Sequence, residues 1–214
     1  MKLSAIPFTT MARMTAGERR DQLIGVAKET FAELGYDGAS VEEIAARAGV
    51  SKPVVYEHFG GKEGIYAVVV DREATRLLDK ISAYIDDKNG GRQIINASAL
   101  AFLHYIEEDP AAFRVLTRDS PASVTTPGIA GLLSDVADKA AGVLAAFFDR
   151  SGLDPATAPL YAGALVGMVA YVGSWWATAR EPSAEEVAQH ITALAYHGLR
   201  DLPHHPAGGS SPSS

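Results

Sequence analysis

The chain has 214 residues, 47% of them apolar and 21% charged, with a net charge of −7. This balance excludes a wholly disordered chain, and the absence of cysteine excludes disulfides and cysteine-ligated zinc. The acidity is uneven, because residues 1–62 carry eight Lys/Arg and eight Asp/Glu whereas residues 63–214 carry eleven and eighteen. The first residues contain no apolar run long enough for a signal peptide, so a cytoplasmic protein is expected.

The first helix is predicted from Ala16 to Leu34, after a loose N-terminal segment in which Met11 or Met14 could be the true start. Apolar residues at helical spacing define its buried stripe, and Gly35 is expected to end it.

Two short helices follow between Ser40 and Gly60. Ser40 with Glu43 forms an S-x-x-E capping box, which predicts a helix start at Val41. Gly49 is placed to end that helix in a left-handed conformation. Ser51 is expected to cap the next helix, with Pro53 tolerated in its first turn. Helix, glycine-containing turn and second helix are typical of the helix-turn-helix, whose second helix lies in a DNA major groove.

Six more helices are predicted from periodicity, caps and glycine or proline stops. They run from about Lys62 to Asp86, Arg92 to Glu108, Pro110 to before Ser120, Ile129 to Arg150, Asp154 to Arg180 and Ser183 to Leu199. The Ser/Thr/Pro stretch from Ser120 to Pro127 is predicted to be a loop, and Ser183 with Glu186 forms a second S-x-x-E capping box. No segment alternates with a period of two, so the predicted fold class is all-α with about nine helices. The Pro/Gly/Ser-rich tail, residues 203–214, is predicted to be disordered.

The stretch from Leu160 to Ala177 carries no charge and contains Gly163-x-x-x-Gly167. It is about as long as a minimal membrane span, so a membrane-anchored regulator is one interpretation. The favoured interpretation is a buried helix of a soluble bundle without membrane contact, because glycine and alanine weaken its transfer energy and no basic cluster flanks it.

The segment from Arg19 to Tyr66 resembles the DNA-binding domain of TetR-type transcriptional regulators. The resemblance is carried by FAELGYDGASVEEIAARAGVSKPVVYEHFGGKEGIY, and above all by F-x-x-x-G-Y, A-G-V-S, Y-x-H-F and the lysine that follows. It implies a DNA-binding domain over residues 16–62 and a ligand-binding and dimerisation domain over residues 63–202, connected by the fourth helix. It further implies a homodimer through helices 8 and 9, and a repressor that a small ligand releases from a palindromic operator.

The resemblance also assigns contacts to double-stranded DNA. Tyr56 and Lys62 are expected to bind phosphates, and Ser40 and Ser51 to add hydroxyl or helix N-terminal contacts. The remaining candidates are expected to face base edges, and they are Lys52, Pro53, Val54 and His58.

Aromatic side chains at helical spacing are most simply core, but some are expected to line a pocket for a largely apolar ligand. The pocket candidates are Phe102, Tyr105, Phe113, Tyr171 and Trp175. His190 and His197 share one face of helix 9, and a helix interface is favoured there over a metal site.

An enzyme or carrier that merely contains a helix-turn-helix is the remaining alternative. No nucleophile–base pair, metal-ligand set or phosphate loop converges in the sequence, so we expect no catalysis, metal or cofactor.

Overall fold

The computed structural model describes residues 14–86, 88–118 and 128–200. In these ranges the chain forms nine α-helices, one short 3-10 turn and no strand, which confirms the all-α prediction. The first four helices are α1 (Ala16–Gly38), α2 (Val41–Ala48), α3 (Lys52–Phe59) and α4 (Lys62–Ser82). The others are α5 (Gly91–Glu108), α6 (Pro110–Thr117), α7 (Gly128–Ser151), α8 (Ala158–Ala179) and α9 (Ala184–Arg200). The 3-10 turn, Pro155–Thr157, precedes α8.

Polar side chains fix the starts of several helices. Thr15 and Glu18 form a complete capping box at α1, which was not predicted. The box predicted at Ser183 and Glu186 is complete, since each backbone N–H donates to the side chain of the other residue, at 3.1 and 3.3 Å. The box predicted at α2 forms only by half, because Ser40 Oγ accepts from the Glu43 N–H while the Glu43 carboxylate binds Arg47.

The helix ends were only partly predicted. The first helix is interrupted at Gly35, where it was predicted to end, since the φ and ψ of Gly35 are 74° and 173°; a further helical turn then runs to Gly38. Ser51 holds the N-cap position of α3 without a side-chain hydrogen bond to the helix. The fourth helix ends at Ser82, before the predicted Asp86. The prediction extended too far because Ile85, which follows the helix in a turn, is buried and so continues the apolar periodicity of the helix.

The helices pack in two connected groups. The first three helices and the start of α4 bury a shared core, in which Phe31 meets Tyr66 edge to face at 4.9 Å between ring centroids. In the second group α7 lies along α8 and α5 along α9, while α4 contacts α1, α5, α6 and α7. The fourth helix therefore runs from the helix-turn-helix into the C-terminal bundle. The predicted loose segment before Met14, the loop at residues 120–127 and the tail at residues 203–214 lie outside the described residues.

Candidate DNA interface and interior cavities

The turn between α2 and α3 leaves one side of α3 open to solvent. Gly49 adopts the left-handed conformation at φ 67°, as predicted, and Val55 is completely buried against the domain core. None of the eight residues predicted to contact DNA is buried. Ser51, Lys52, Pro53 and Tyr56 are exposed, whereas Ser40, Val54, His58 and Lys62 are half-buried. They lie at the starts of α2 and α4 and along α3, and their DNA contacts remain a prediction.

Lys62 is also engaged within the protein. Its Nζ donates to the carbonyl oxygens of Tyr36 and Ala39, at 3.0 and 3.2 Å, and lies 4.2 Å from the ring centroid of Tyr36. The side chain therefore connects the start of α4 to the corner between α1 and α2. Of the three ammonium N–H groups one is left for a phosphate.

Carboxylates pair with two other cations of the helix-turn-helix domain, Lys52 and Arg47. Lys52 Nζ donates to Glu42 Oε1, and this hydrogen bond lowers the pKa of Glu42 and raises the pKa of Lys52. Arg47 donates to both Glu33 and Glu43, each at 2.6 Å, and these bonds raise the pKa of Arg47. The i, i+4 spacing of Glu43 and Arg47 could have revealed one pair, but the Glu42–Lys52 pair needs the three-dimensional turn.

Helices α3 and α4 approach so closely that only glycine fits at the third position of α4. A Cβ at Gly64 would stand 1.9 Å from the carbonyl oxygen of Phe59, the last residue of α3. That distance is far below van der Waals contact, and the backbone of Phe59 cannot move aside as a flexible side chain could. Gly64 therefore lets the two helices pack backbone against backbone.

Two adjoining cavities lie among the C-terminal helices, and five lining residues are common to both. The smaller cavity, of about 90 Å³, which we call the inner cavity, lies between α4, α5, α7 and α8, and its lining is apolar except for Ser98. The larger cavity, of about 240 Å³, which we call the outer cavity, has Asn89, Arg150 and Tyr196 in its lining. The shared wall consists of Ile85, Ile94, Ile95, Ala140 and Leu165. Ser98 Oγ is buried and has no hydrogen-bond partner among the described residues.

The five aromatic residues predicted to line a pocket do not converge. Only Phe102 lines the inner cavity. Phe113 is buried behind it, with ring centroids 5.9 Å apart, and Tyr105 is buried with its hydroxyl 3.3 Å from Glu73 Oε2. Burial, reinforced by the Glu73 charge, raises the pKa of Tyr105. Tyr171 and Trp175 point outward and are 79% and 54% exposed, because α8 turns that face away from the bundle.

A charged cluster joins the two groups of helices, and sequence reasoning missed it. Asp109 caps α6 by accepting from the Ala112 N–H at 2.9 Å. The same carboxylate binds Lys28 of α1 and, at 3.2 Å, Arg76 of α4. Burial alone would raise the pKa of Asp109, but the hydrogen bonds from Lys28 and Ala112 together with the two cations lower it overall. We call Lys28, Arg76 and Asp109 the bridge cluster.

The outer face of α8 is a continuous apolar stripe. Leu160 is 69% exposed, Gly163 and Gly167 have open space where a Cβ would stand, and Tyr171 and Trp175 continue the stripe. Gly173, a third glycine of the same helix, instead faces inward, where a Cβ would stand 2.4 Å from Phe102. The segment Pro155–Ala179 is long and apolar enough to cross a membrane by length and composition alone.

Comparison with known proteins supports the same architecture. The family profile described as "Bacterial regulatory proteins, tetR family" matches residues 23–69, and "Tetracyclin repressor-like, C-terminal domain" matches residues 80–210. The chain is 31% identical over 193 residues to the HTH-type transcriptional activator FasR of Mycolicibacterium smegmatis, which covers 89% of this chain and 87% of FasR.

Two solved structures share the fold. A TetR-like transcriptional regulator from Rhodococcus sp. RHA1 gives a TM-score of 0.74 at 23% identity, covering 89% of this chain and 100% of that one. The fatty acid degradation regulator FadR from Bacillus halodurans gives 0.70 at 20% identity, covering 88% and 99%. These two similarities establish the fold alone, whereas the two profiles and the match to FasR establish the family. The chain belongs to the TetR family, and it is a DNA-binding transcriptional regulator and not an enzyme.

Proposed function

We propose that the protein is a homodimeric repressor that a small, largely apolar ligand releases from a near-palindromic operator. The observation that carries the ligand response is the course of α4. Its last turn contributes Ile81 to the inner cavity, and its first turn packs on the recognition helix α3 through Gly64. A ligand that moves the cavity wall therefore acts on the helix that positions the DNA-binding domain.

A second contact supports the same coupling. Helix α6 packs on α1, and the bridge cluster ties the start of α6 to both α1 and α4. Arg118, directly after α6, also donates to the carbonyl of Phe31 in α1 at 3.4 Å. The C-terminal bundle thus contacts the DNA-binding domain away from the covalent connection.

The lining of the cavities indicates the chemistry of the ligand. Among the described residues Arg150, in the outer cavity, is the only charged side chain that lines either cavity. The inner cavity offers a ligand one hydroxyl, that of Ser98, among apolar walls. Apolar surface lost from water favours binding by about 25 cal/mol per Å², so a ligand with a mainly hydrocarbon body suits this site.

The stripe on α8 supports dimerisation through α8 and α9. It adjoins a groove between these helices that is lined by Trp175, Pro182, His190 and Leu194, among others. A contiguous exposed apolar stripe is typical of a protein–protein interface, and an obligate dimer buries more than ~2,000 Å². Two copies of α3 would then enter major grooves about one turn of DNA apart, ~34–36 Å.

The same stripe gives the membrane alternative its only support. A protein that acts on DNA through a dimer belongs in the cytoplasm, and recovery of the protein in the soluble fraction tests this. Recovery in the membrane fraction without detergent would favour an anchor instead.

Whether the regulator represses or activates is a separate matter from its release by ligand. FasR is named an activator, so activation is the second candidate. The same ligand-driven loss of operator binding would relieve repression if the operator overlaps a promoter, and would end activation if it lies upstream.

The testing experiment has two stages. Genomic fragments retained by the purified protein are sequenced, and a ligand found by screening is then titrated with and without saturating operator. Because coupling is reciprocal, a true inducer must bind the operator complex more weakly, by ~5–150-fold for a coupling of ~1–3 kcal/mol. Equal affinities in the two titrations would exclude release through α4.

A further inference from the structure

One ion pair joins the two helices of the helix-turn-helix on its exposed side. Glu42 is the second residue of α2 and Lys52 the first residue of α3, and their side chains are 62% and 46% exposed. Lys52 also lies 5.6 Å from the ring centroid of Tyr56, which holds the ammonium on the open face of α3. An exposed pair of this kind contributes little to folding. Its position, at the N-terminal end of the helix expected in the groove, calls for another role.

The two side chains present a fixed pattern of donors and acceptors. The ammonium of Lys52 has donors left after its bond to Glu42, and the carboxylate of Glu42 has free lone pairs beside it. In the major groove a G·C pair presents two acceptors, guanine N7 and O6, next to one donor, the N4 amino group of cytosine. Lysine is a partner of guanine N7 and O6, and a glutamate accepts from cytosine N4. The ion pair is therefore complementary to this base pair.

We propose that Glu42 and Lys52 together read one G·C base pair in each half-site of the operator. Lys52 donates to guanine while Glu42 accepts from cytosine and keeps the ammonium aimed at the base edge. This gives Glu42 a role in sequence specificity. Because a carboxylate repels phosphate, a search for basic residues alone would not identify it as a DNA contact. The proposal rests on the DNA-binding role of the helix-turn-helix, and it does not depend on the ligand or the dimer interface.

The test is selection of binding sites from randomised duplexes by the full-length protein and three variants. Lys52→Ala and Glu42→Ala remove the donor and the acceptor of the pair. Glu57→Ala is the matched control, because Glu57 is an exposed carboxylate of α3 that has no ion pair among the described residues. Thermal unfolding verifies that each variant remains folded.

We expect Glu42→Ala and Lys52→Ala to lose preference at the same G·C position, by roughly 5- to 150-fold against the wrong base pair. Glu57→Ala should keep that preference, although removal of a negative charge should strengthen its binding to all DNA. At the selected position, 7-deazaguanine, which lacks N7, should weaken the wild type but leave Lys52→Ala unchanged.

Other outcomes would overturn the inference. If Glu42→Ala strengthens binding to all sequences as Glu57→Ala does, with the site preference intact, Glu42 acts only through its charge. Preferences lost at different positions in the two variants would show that the side chains do not act on one base pair. If the wild type selected no sequence, the operator-binding role itself would fail, a result separate from the other two.

Discussion

Replacement of Asp109 by asparagine tests how the bridge cluster joins the two groups of helices. Asparagine is as good an N-cap as aspartate, so the start of α6 should survive, and the change removes the charge that Lys28 and Arg76 share. Lys28 and Asp109 are only 15% and 14% exposed, so the loss leaves a poorly solvated ammonium. A hydrogen bond to a charged group contributes ~1.5–3 kcal/mol, and Arg76 is solvated enough to recover part of its loss. We expect Asp109→Asn to lower the free energy of unfolding by about 2 kcal/mol.

The matched control is Asp21→Asn, which breaks a direct ion pair between α1 and α4, the two helices whose cations Asp109 binds. Asp21 and Arg72 meet at 2.7 Å but are 65% and 51% exposed, so this loss should stay below ~1 kcal/mol. Urea unfolding at one fixed protein concentration measures both, since the stability of a dimer depends on concentration.

The dependence on pH gives a second measurement. The folded-state pKa of Asp109 lies below its unfolded value of ~3.9, so its contribution is fully present at neutral pH and is lost as the pH falls through the folded-state pKa. The difference between wild type and Asp109→Asn should therefore shrink in acid. Equal losses for the two variants at neutral pH, or a difference that does not change in acid, would refute this account of the cluster.

Three further predictions concern the interface, the cavity and the DNA face. Gly167→Glu has open space in the protomer, so it should fold but sediment as a monomer; a dimer at micromolar concentration would exclude Gly167 from the interface. Ser98→Ala removes an unpaired buried hydroxyl and should raise stability by about 1 kcal/mol; a less stable variant would indicate a partner for this hydroxyl. Lys62→Ala should weaken binding to operator and random DNA alike and lower the salt slope by about one; an unchanged slope would remove Lys62 from the phosphate contacts.

The local features of the fold could be read from the sequence because they depend on neighbouring residues. The stop at Gly49, the half-box at Ser40 and the full box at Ser183 each involve side chains and amides a few residues apart. The predicted end of the fourth helix at Asp86 was wrong, because Ile85 is a buried turn residue that fits the same periodicity as a helical one.

The candidate sites needed three-dimensional information. The aromatic residues of the sequence were predicted to line a pocket, but the lining of the inner cavity is mostly aliphatic. Helical periodicity alone does not indicate whether Tyr171 faces the bundle or the solvent. Asp109 was identified as neither a cap nor an ion-pair partner, because Lys28 lies 81 residues away in the sequence. The pairing of Glu42 with Lys52 likewise depends on the angle between α2 and α3.

The contact at Gly64 limits what kind of motion can carry a signal to DNA. Because the backbone of α4 packs against the carbonyl of Phe59, we expect the recognition helix to follow α4 and not to slide or rotate past it. A movement of α4 should then turn the helix-turn-helix as one rigid body. Every base and phosphate contact of one half-site would then shift together, so no single stronger contact in the operator could compensate. Resistance to the ligand should therefore arise from changes in the cavity, in α4 or in the bundle, and rarely from changes in operator sequence.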